Sequence, residues 1–423
     1  MKIGIVASLF PPYSVGGAEI SAYYLSKGLA KAGHDVLVIT PSFDKKDFQE
    51  EKYDFKIYRF GIGSKQIRDS LKKITKERSP RFPFTSMSHP VLHSYFKEAI
   101  KSIAKEFKPD ILHTQHSQAF IPTYNSVKNV KKVATLRDYT TYCDSGFCSL
   151  NREYKKCSFF EYLLCKRRWD KLNSRSPKLY KHLYNYRILK KKQNVLRKMN
   201  GVISVSGFVR DVYKKIGVES TVIHNIAPEE KVVKSVSKIK KELGVSGKIV
   251  SYVGKISIGK GANQFLDMVR ILKDEGVNFI VAGTGPLEKD FDRASKEYEN
   301  LIYRRHVPHE KALEIYKASD IVCSTSVWPE PLSRVIIEAL SLGTPCVATN
   351  VGGTEEIIED CFNGFLVSPE NVEELVDKVN ILLSNKKLRE RFAKNGKIKI
   401  RKEFSTDKIT NEHINFYKRV LGG

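Results

Sequence analysis

Short apolar runs alternate with amphipathic stretches along most of this chain, a rhythm that predicts parallel β/α units. In the first half the expected strands are Ile3–Ser8, Asp35–Thr40, Lys56–Phe60, Ile111–Thr114, Lys132–Leu136, Gly201–Val205 and Thr221–His224. A well-patterned helix, Ala18–Ala32, joins the first two and stops at Gly33. Between Tyr139 and Met199 the strand pattern disappears, and the insert 139–199 is basic, aromatic and helical in its second half. A break at 227–247, opening on Pro228 and mixing Lys, Glu, Ser and Val, predicts an interdomain linker. The alternation resumes at Lys248–Val253 and continues through Phe279–Ala282, Leu301–Tyr303, Ile321–Ser324, Pro345–Ala348 and Gly364–Val367. Helices over Val372–Ser384, Lys387–Glu403 and Thr406–Val420 close the chain. The expectation is an α/β fold of two doubly wound parallel-sheet domains, 1–226 and 248–405. The last helix, 406–423, packs back on the first domain. Ligands in such sheets bind beyond the strand C-termini, and a cleft between two such domains is the natural site.

The pattern also isolates two carboxylates. Pro329 and Pro331 keep Glu330 in a loop. Leu332, Val335, Ile336, Ala339 and Leu340 then follow helical spacing, which sets Glu338 about two turns inside an apolar, buried helix. A buried carboxylate is costly without a partner. Two readings stand: an ion pair with Arg334, four residues earlier, or the hydroxyls of a ligand whose anionic part the helix N-terminus would suit.

Composition bounds the choices. The 423 residues are 41% hydrophobic and 28% charged, which is globular and long enough for two domains. No apolar run reaches bilayer length, and the apolar start stops at Pro11-Pro12, reading as a first strand rather than a signal peptide. The net charge of +26 is uneven. Residues 151–200 are dense in Lys and Arg, with only Glu153, Glu161 and Asp170 against them. Such a block is either a solvated helix face or a surface for an anionic partner such as a membrane. Among the seven cysteines, Cys143, Cys148, Cys157 and Cys165 cluster without a CxxC pair. A zinc site there stays open beside ordinary thiols or a redox-sensitive loop.

Candidate chemistry sits at strand ends. Gly16-Gly17 follows the first strand, where glycines let backbone N–H groups approach a phosphate or sugar. It lacks the dinucleotide fingerprint. Lys255 ends a strand and Lys260 begins a helix, so the two cations either clamp a diphosphate or are surface lysines. Gly283-Thr-Gly285 and Gly352-Gly353 mark further turns.

The order of these elements is distinctive: Gly-Gly-Ala-Glu19, Gly254-Lys255…Lys260-Gly261, Ala282-Gly-Thr-Gly-Pro-Leu287, Ser326-x-Trp-Pro-Glu330-x7-Glu338-Ala, and Gly343-Thr-Pro-Cys-Val-Ala…Val-Gly-Gly353. It resembles the family-4 retaining glycosyltransferases, most closely from Gly254 to Pro369. The resemblance implies the GT-B architecture of two facing Rossmann-like domains, the first on the acceptor side and the second binding a nucleotide-diphosphate sugar. Glu330 would lie by the donor sugar and Glu338 on the ribose hydroxyls. Lys255 and Lys260 would bind the diphosphate, with N–H groups of Leu332 and Ser333, Ser326, and the Gly16-Gly17 loop assisting. The first clamp cation is commonly Arg, so Lys255 keeps the charge without the bidentate fork. Ser333 stands where a Gly is common. The family's catalytic-site His would fall at His113 or His116, since Gln115 fills the usual slot; the other reading of either is a structural histidine at a strand end. Arg137 and Asp138 would face the acceptor side.

The resemblance requires no cofactor and no metal, because lysines replace the cation. Asp290 and Asp292 formally spell a metal motif but fall on a polar helix, which reads as solvent-facing. Transfer in this family proceeds on one face of the sugar, the departing phosphate helping to deprotonate the acceptor, so no glycosidase-like acid and nucleophile pair is needed. The expected partners are a nucleotide sugar, a lipid-linked or otherwise anionic glycan acceptor, and an anionic membrane in peripheral contact. That places the enzyme in the cytoplasm or at the inner membrane face, in cell-surface polysaccharide or glycolipid synthesis. A nucleotide-sugar epimerase of the same architecture is the alternative, as is a non-catalytic anion- or nucleic-acid-binding relative. No nucleic acid is expected, because no binding module accompanies the basic charge.

Overall fold

The computed structural model describes residues 1–13, 16–42, 47–51, 53–61, 90–143, 146, 157–172, 179–229, 232–273 and 276–422. These form two compact units. The first takes the described residues up to Ile226 together with those from Ile409 onward, and the second runs Ala227–Lys408.

The first unit contains β1 (Lys2–Val6), β2 (Asp35–Ser42), β3 (Phe48–Glu50), β4 (Lys56–Gly61), β5 (Ile111–Thr114), β6 (Lys131–Leu136), β7 (Gly201–Ser204) and β8 (Thr221–Val222). They form one sheet in the order β3-β4-β2-β1-β5-β6-β7-β8. Only the β3–β4 pairing is antiparallel among these strands. Buried on both faces, β1 reads as a continuous apolar run. Its side chains still alternate in direction. Ile3 and Ile5 pack with Val36, Val38 and, from the Gly17–Lys31 helix, Ala22, Leu25 and Leu29. Val6 faces the other side, with Leu37, Ile39 and, from the Pro90–Phe107 helix, Phe96 and Ile100. The Thr406–Leu421 helix sends Ile409, Ile414, Phe416 and Tyr417 into the first of these cores. A Cβ on Gly201 would meet the Phe416 ring at 2.7 Å, so glycine lets this helix seat closely on β7.

The second unit contains β9 (Lys248–Val253), β10 (Val277–Ala282), β11 (Leu301–Arg304), β12 (Ile321–Ser324), β13 (Cys346–Thr349) and β14 (Gly364–Val367). All pair in parallel, in the order β11-β10-β9-β12-β13-β14. Val250 and Tyr252 of β9 face Phe265, Met268 and Val269 of the Ala262–Leu272 helix. Ile249 faces Ile239, Ile315 and Ala318 on the opposite side.

Strand order reverses between β1 and β5 in one sheet and between β9 and β12 in the other. At such a switch point adjacent loops leave in opposite directions and open a crevice beyond the strand C-termini. The glycine pair and His116 follow β1 and β5. Lys255, Lys260, Ser326 and Glu330 follow β9 and β12.

The strands read from the sequence end within a residue or two of the observed ones. Three-residue β3 at the sheet edge is too short to show a period. The stretch expected as a linker carries a helix, Val236–Leu243, capped by Ser235 and ended by left-handed Gly244. Its one buried residue, Ile239, anchors it to the second sheet with Leu243 packed beside it, and the spacing of Val236, Ile239 and Leu243 spans only two turns, a short signal in a charged stretch. The insert contains two described helices, Phe159–Leu172 and Leu179–Arg197. Among the described residues, no helix is long and apolar enough to cross a membrane.

Candidate functional site

The loops after β9 and β12 are joined by backbone contacts that leave little freedom. The buried Tyr252 hydroxyl lies 2.9 Å from the Lys255 carbonyl and 3.1 Å from that of Lys260, folding the segment between them over the strand end. A 3-10 turn, Ile258–Lys260, follows, and Gly261 takes φ +66°. A Cβ there would fall 1.5 Å from the Thr325 carbonyl oxygen, so only glycine fits. Thr325 Oγ1 donates to the Gly261 carbonyl at 2.7 Å, and the N–H groups of Val327 and Trp328 donate to Gly259.

This zipper brings four side chains together. Lys260 Nζ lies 2.6 Å from Glu330 Oε1 and 5.1 Å from the centre of the Trp328 ring. Ser326 donates its hydroxyl to the same Glu330 oxygen. Behind Glu330, Gly353 N donates to its carbonyl at 2.8 Å. Gly352, at φ +59°, approaches so closely that a Cβ would sit 2.1 Å from that carbonyl oxygen. Lys255 keeps much of its side chain in solvent. Desolvation around its ammonium, and then repulsion from Lys260, hold its pKa below the ordinary lysine value.

The glycines of the Ala282–Leu287 turn have a packing role. Cβ atoms on Gly283 and Gly285 would fall 1.7 Å from the Gly254 carbonyl oxygen and 2.2 Å from that of Ile256. The turn therefore backs the Lys255 loop directly.

The helix after Glu330 runs Arg334–Leu342, with Ser333 at its N-cap and Leu332 and Ser333 buried. Its start faces the Glu330 loop, and the first N–H groups of a helix have no intrahelical partner. Glu338 is buried on this helix, as its apolar spacing predicts. The ion pair forms: Arg334 Nη2 and Nε lie 2.8 and 3.1 Å from Glu338 Oε1. A second partner was not evident in the pattern, His309, whose Nε2 reaches the same oxygen at 3.0 Å. Burial pushes the Glu338 pKa up, but Arg334 and His309 outweigh it and hold the carboxyl below its usual range.

In the first unit, Gly16 caps the Gly17–Lys31 helix, and its N–H donates to Glu19 Oε2 at 2.9 Å. Glu19 Oε1 lies 3.7 Å from His116 Nε2. The Ser8 N–H donates to His116 Nδ1 at 3.1 Å, so the neutral ring carries its proton on Nε2. Burial, then Arg137, lowers the His116 pKa to about 3. His113 points the other way, into the interior. Its Nδ1 lies 2.6 Å from the Tyr417 hydroxyl and its Nε2 2.7 Å from Thr135 Oγ1, and burial keeps it neutral well below the usual histidine pKa.

Arg137 donates to Gln115 Oε1 at 2.6 Å and to Asn225 Oδ1. Asp138 accepts from the N–H and hydroxyl of Thr140 at 2.7 and 2.5 Å. With Gln115, Ser117 and Thr141 the two residues line a small recess beyond β5 and β6.

Of the cysteine cluster, Cys148 lies outside the described residues. Cys143 and Cys157 are half-buried, and Cys165 is buried. Among the described residues no group of His, Cys, Asp and Glu could hold a metal ion. Asp292 pairs with Arg305 at 2.6 Å.

Residues 15–230 match the family described as Glycosyltransferase Family 4, and residues 234–399 match Glycosyl transferases group 1. An uncharacterized glycosyltransferase of Methanocaldococcus jannaschii is 25% identical over 447 residues, covering 100% of this chain and 99% of that protein. The sucrose-phosphate synthase of Thermosynechococcus elongatus superposes with a TM-score of 0.73 at 18% identity, covering 100% of both chains. HepE of Anabaena, solved in complex with UDP-glucose, gives 0.68 at 18% identity over 99% of this chain and 100% of its own. At these identities the likeness to the solved structures is one of fold.

Proposed function

The chain belongs to glycosyltransferase family 4, an enzyme of the GT-B fold class, and from that membership we propose that it moves a sugar from a nucleotide-diphosphate sugar to an acceptor hydroxyl with retention of anomeric configuration. The observation that carries the reading is the contact of Lys260 and Ser326 with Glu330 at the β9/β12 switch point. A cation and an oriented carboxylate meet where an α/β sheet of this order binds ligands.

In this reading the second unit holds the donor. Lys255 and Lys260 take the diphosphate, helped by the backbone N–H groups of Leu332 and Ser333. The lowered pKa of Lys255 comes first from desolvation and then from the neighbouring Lys260 ammonium, and a bound diphosphate would relieve the second of these costs. Glu330 accepts from hydroxyls of the donor sugar, and Glu338 from the ribose. As the bond from the anomeric carbon to the phosphate oxygen breaks, negative charge collects on the phosphate, where the lysines stabilise it. That oxygen takes the proton of the incoming acceptor hydroxyl on the same face of the sugar. The lysine charge supplies what a metal supplies elsewhere, so we propose that no cofactor is needed.

In the first unit, the Gly16-Gly17 turn and His116 serve the reaction, His116 as an Nε2–H donor rather than as a base, while His113 serves to seat the Thr406–Leu421 helix. Arg137 and Asp138 line the acceptor side. The basic insert favours a lipid-linked or otherwise anionic glycan acceptor, in cell-surface polysaccharide or glycolipid synthesis.

A thermal-shift series with UDP-, GDP-, ADP- and dTDP-sugars tests the donor class. One of them is expected to stabilise the wild type, and Glu330→Gln to keep that shift while transfer falls by at least about a hundredfold. Stabilisation by none, or full transfer by Glu330→Gln, would refute the assignment.

A further inference from the structure

The helices Phe159–Leu172 and Leu179–Arg197 form a hairpin whose aromatic residues do two different jobs. Tyr162 is buried, and Tyr186 packs 5.0 Å from the ring centres of both Phe159 and Tyr162. Further along, His182 meets Asp170 at 3.3 Å. These contacts run the helices antiparallel and hold them together from within. The outer faces are also apolar. Phe160 is 76% exposed and Leu164 59%, while Tyr180 and Leu183 are 62% and 38% exposed.

The exposed residues follow helical spacing. On the first helix Phe160, Leu164, Arg167 and Arg168 fall at i, i+4, i+7 and i+8. On the second, Tyr180, Leu183, Tyr184, Arg187 and Lys191 fall at i, i+3, i+4, i+7 and i+11, and all of these are exposed. Each stripe begins apolar and ends basic. An amphipathic helix normally buries such a stripe against its domain; here each helix spends its other face on the hairpin and leaves this one in solvent. The acids within the two helices are Glu161 and Asp170. Glu161 caps the first helix through the Ser158 N–H at 2.8 Å, and Asp170 is buried against His182.

We propose that this hairpin is a membrane-docking surface, which seats Phe160, Leu164, Tyr180 and Leu183 at the acyl–headgroup boundary of a bilayer while Arg167, Arg168, Arg187 and Lys191 engage anionic headgroups. Charge alone would suit any polyanion. A stripe that adds aliphatic Leu to aromatics and cations suits a lipid interface, where the apolar part has an apolar place to go and long basic side chains reach the headgroups. The surface deepens the anionic-acceptor reading above and takes its biological sense from it, yet it is testable without donor or acceptor.

The test is flotation of the full chain with vesicles of phosphatidylcholine alone and of phosphatidylcholine with phosphatidylglycerol, at low and high salt. Wild type is expected to float with the anionic vesicles and to keep part of that binding at high salt. Phe160→Ser/Leu164→Ser and, separately, Tyr180→Ser/Leu183→Ser are expected to weaken binding at least about tenfold at both salt levels. Arg167→Glu/Arg168→Glu should abolish the preference for anionic vesicles. Wild type that binds neither vesicle overturns the proposal. So does binding that both apolar pairs leave unchanged, and so does capture of single-stranded RNA in place of vesicles. The melting temperature and donor-induced shift of each variant are read in parallel: a protein that floats but answers to no nucleotide sugar would sink the donor reading and leave this one standing.

Discussion

Glu338 has an ion-pair role in the structure and a proposed ribose-binding role, and one pair of variants can separate them. In Glu338→Ala the carboxylate contacted by both Arg334 and His309 is gone, and Arg334, with 10% of its side chain exposed, keeps its charge in the interior. Breaking a buried pair on one side costs about 3–5 kcal/mol, since the desolvated partner remains. For a domain of this size each kcal/mol moves Tm by about 2–4 °C, so the second unit should melt about 6–20 °C lower. Arg334→Met/Glu338→Leu removes both charges and keeps the volumes close, which is expected to be near neutral for stability. If Glu338 also accepts from ribose hydroxyls, the double variant still loses charge-assisted hydrogen bonds worth about 2–4 kcal/mol, a Kd weaker by about 30- to 1,000-fold. Calorimetric melting and titration with the nucleotide diphosphate read the two effects independently. A double variant that melts and binds like wild type would reduce Glu338 to an ion-pair partner. A Glu338→Ala protein that melts like wild type would refute the burial argument itself.

Lys260→Met is expected to raise KM and lower kcat together, because it removes the proposed phosphate contact and releases Glu330, whereas Ser326→Ala should lower kcat about tenfold with KM little changed; initial-rate kinetics distinguish them, and identical effects would argue against separate roles. Gly352→Ala forces a Cβ to within 2.1 Å of the Glu330 carbonyl oxygen and should cut transfer at least about tenfold in single-turnover assays while donor binding persists, so full activity would show that this loop does not set Glu330. In the first unit His113, His116 and His413 are all buried with lowered pKa values, the last two at about 3 and 4. The unfolded chain therefore binds protons that the folded unit refuses between those values and the ordinary histidine pKa, and stability should fall as pH drops through 6.5, by up to about 4 kcal/mol per pH unit if all three act together. Urea midpoints of the first unit that stay flat from pH 7 to 5 would contradict this.

The parts of the molecule that were legible in the sequence are those that repeat. Apolar runs marked the strands because most are buried on both faces, and the spacing from Leu332 to Leu340 placed Glu338 inside a buried helix. Glycines at Gly261 and Gly352 signalled turns, but the reason for them, a carbonyl closer than any Cβ allows, exists only once two distant loops meet. Tyr252 looked like a strand residue, and nothing in its neighbours announces that its hydroxyl shapes the lysine loop. His309 was silent for the same reason, since its partner is twenty-nine residues away and reached only through the helix packing. His113 and His116 lie three residues apart yet face opposite surroundings, because one sits within β5 and the other beyond its end. Sequence adjacency could not divide a core histidine from one at the strand end.

The two carboxylates share a design that their sequence spacing conceals. Lys260 and Ser326 both contact Oε1 of Glu330, and Arg334 and His309 both contact Oε1 of Glu338. In each case Oε2 takes no part in these contacts. A carboxylate fixed through one oxygen by a cation holds its second oxygen in a set direction, which is what a ligand hydroxyl requires. The cation is not consumed by this, since a lysine ammonium has three donors and the contact with Glu330 uses one. In the proposed reading a diphosphate would therefore engage Lys260 without unmaking the Glu330 contact, and would strengthen a geometry already formed. In the proposed reading, the ion pair that first looked like an alternative to a ligand role for Glu338 is its precondition: without Arg334 and His309, a carboxylate buried this deeply would take up a proton and offer a ribose a poorer acceptor.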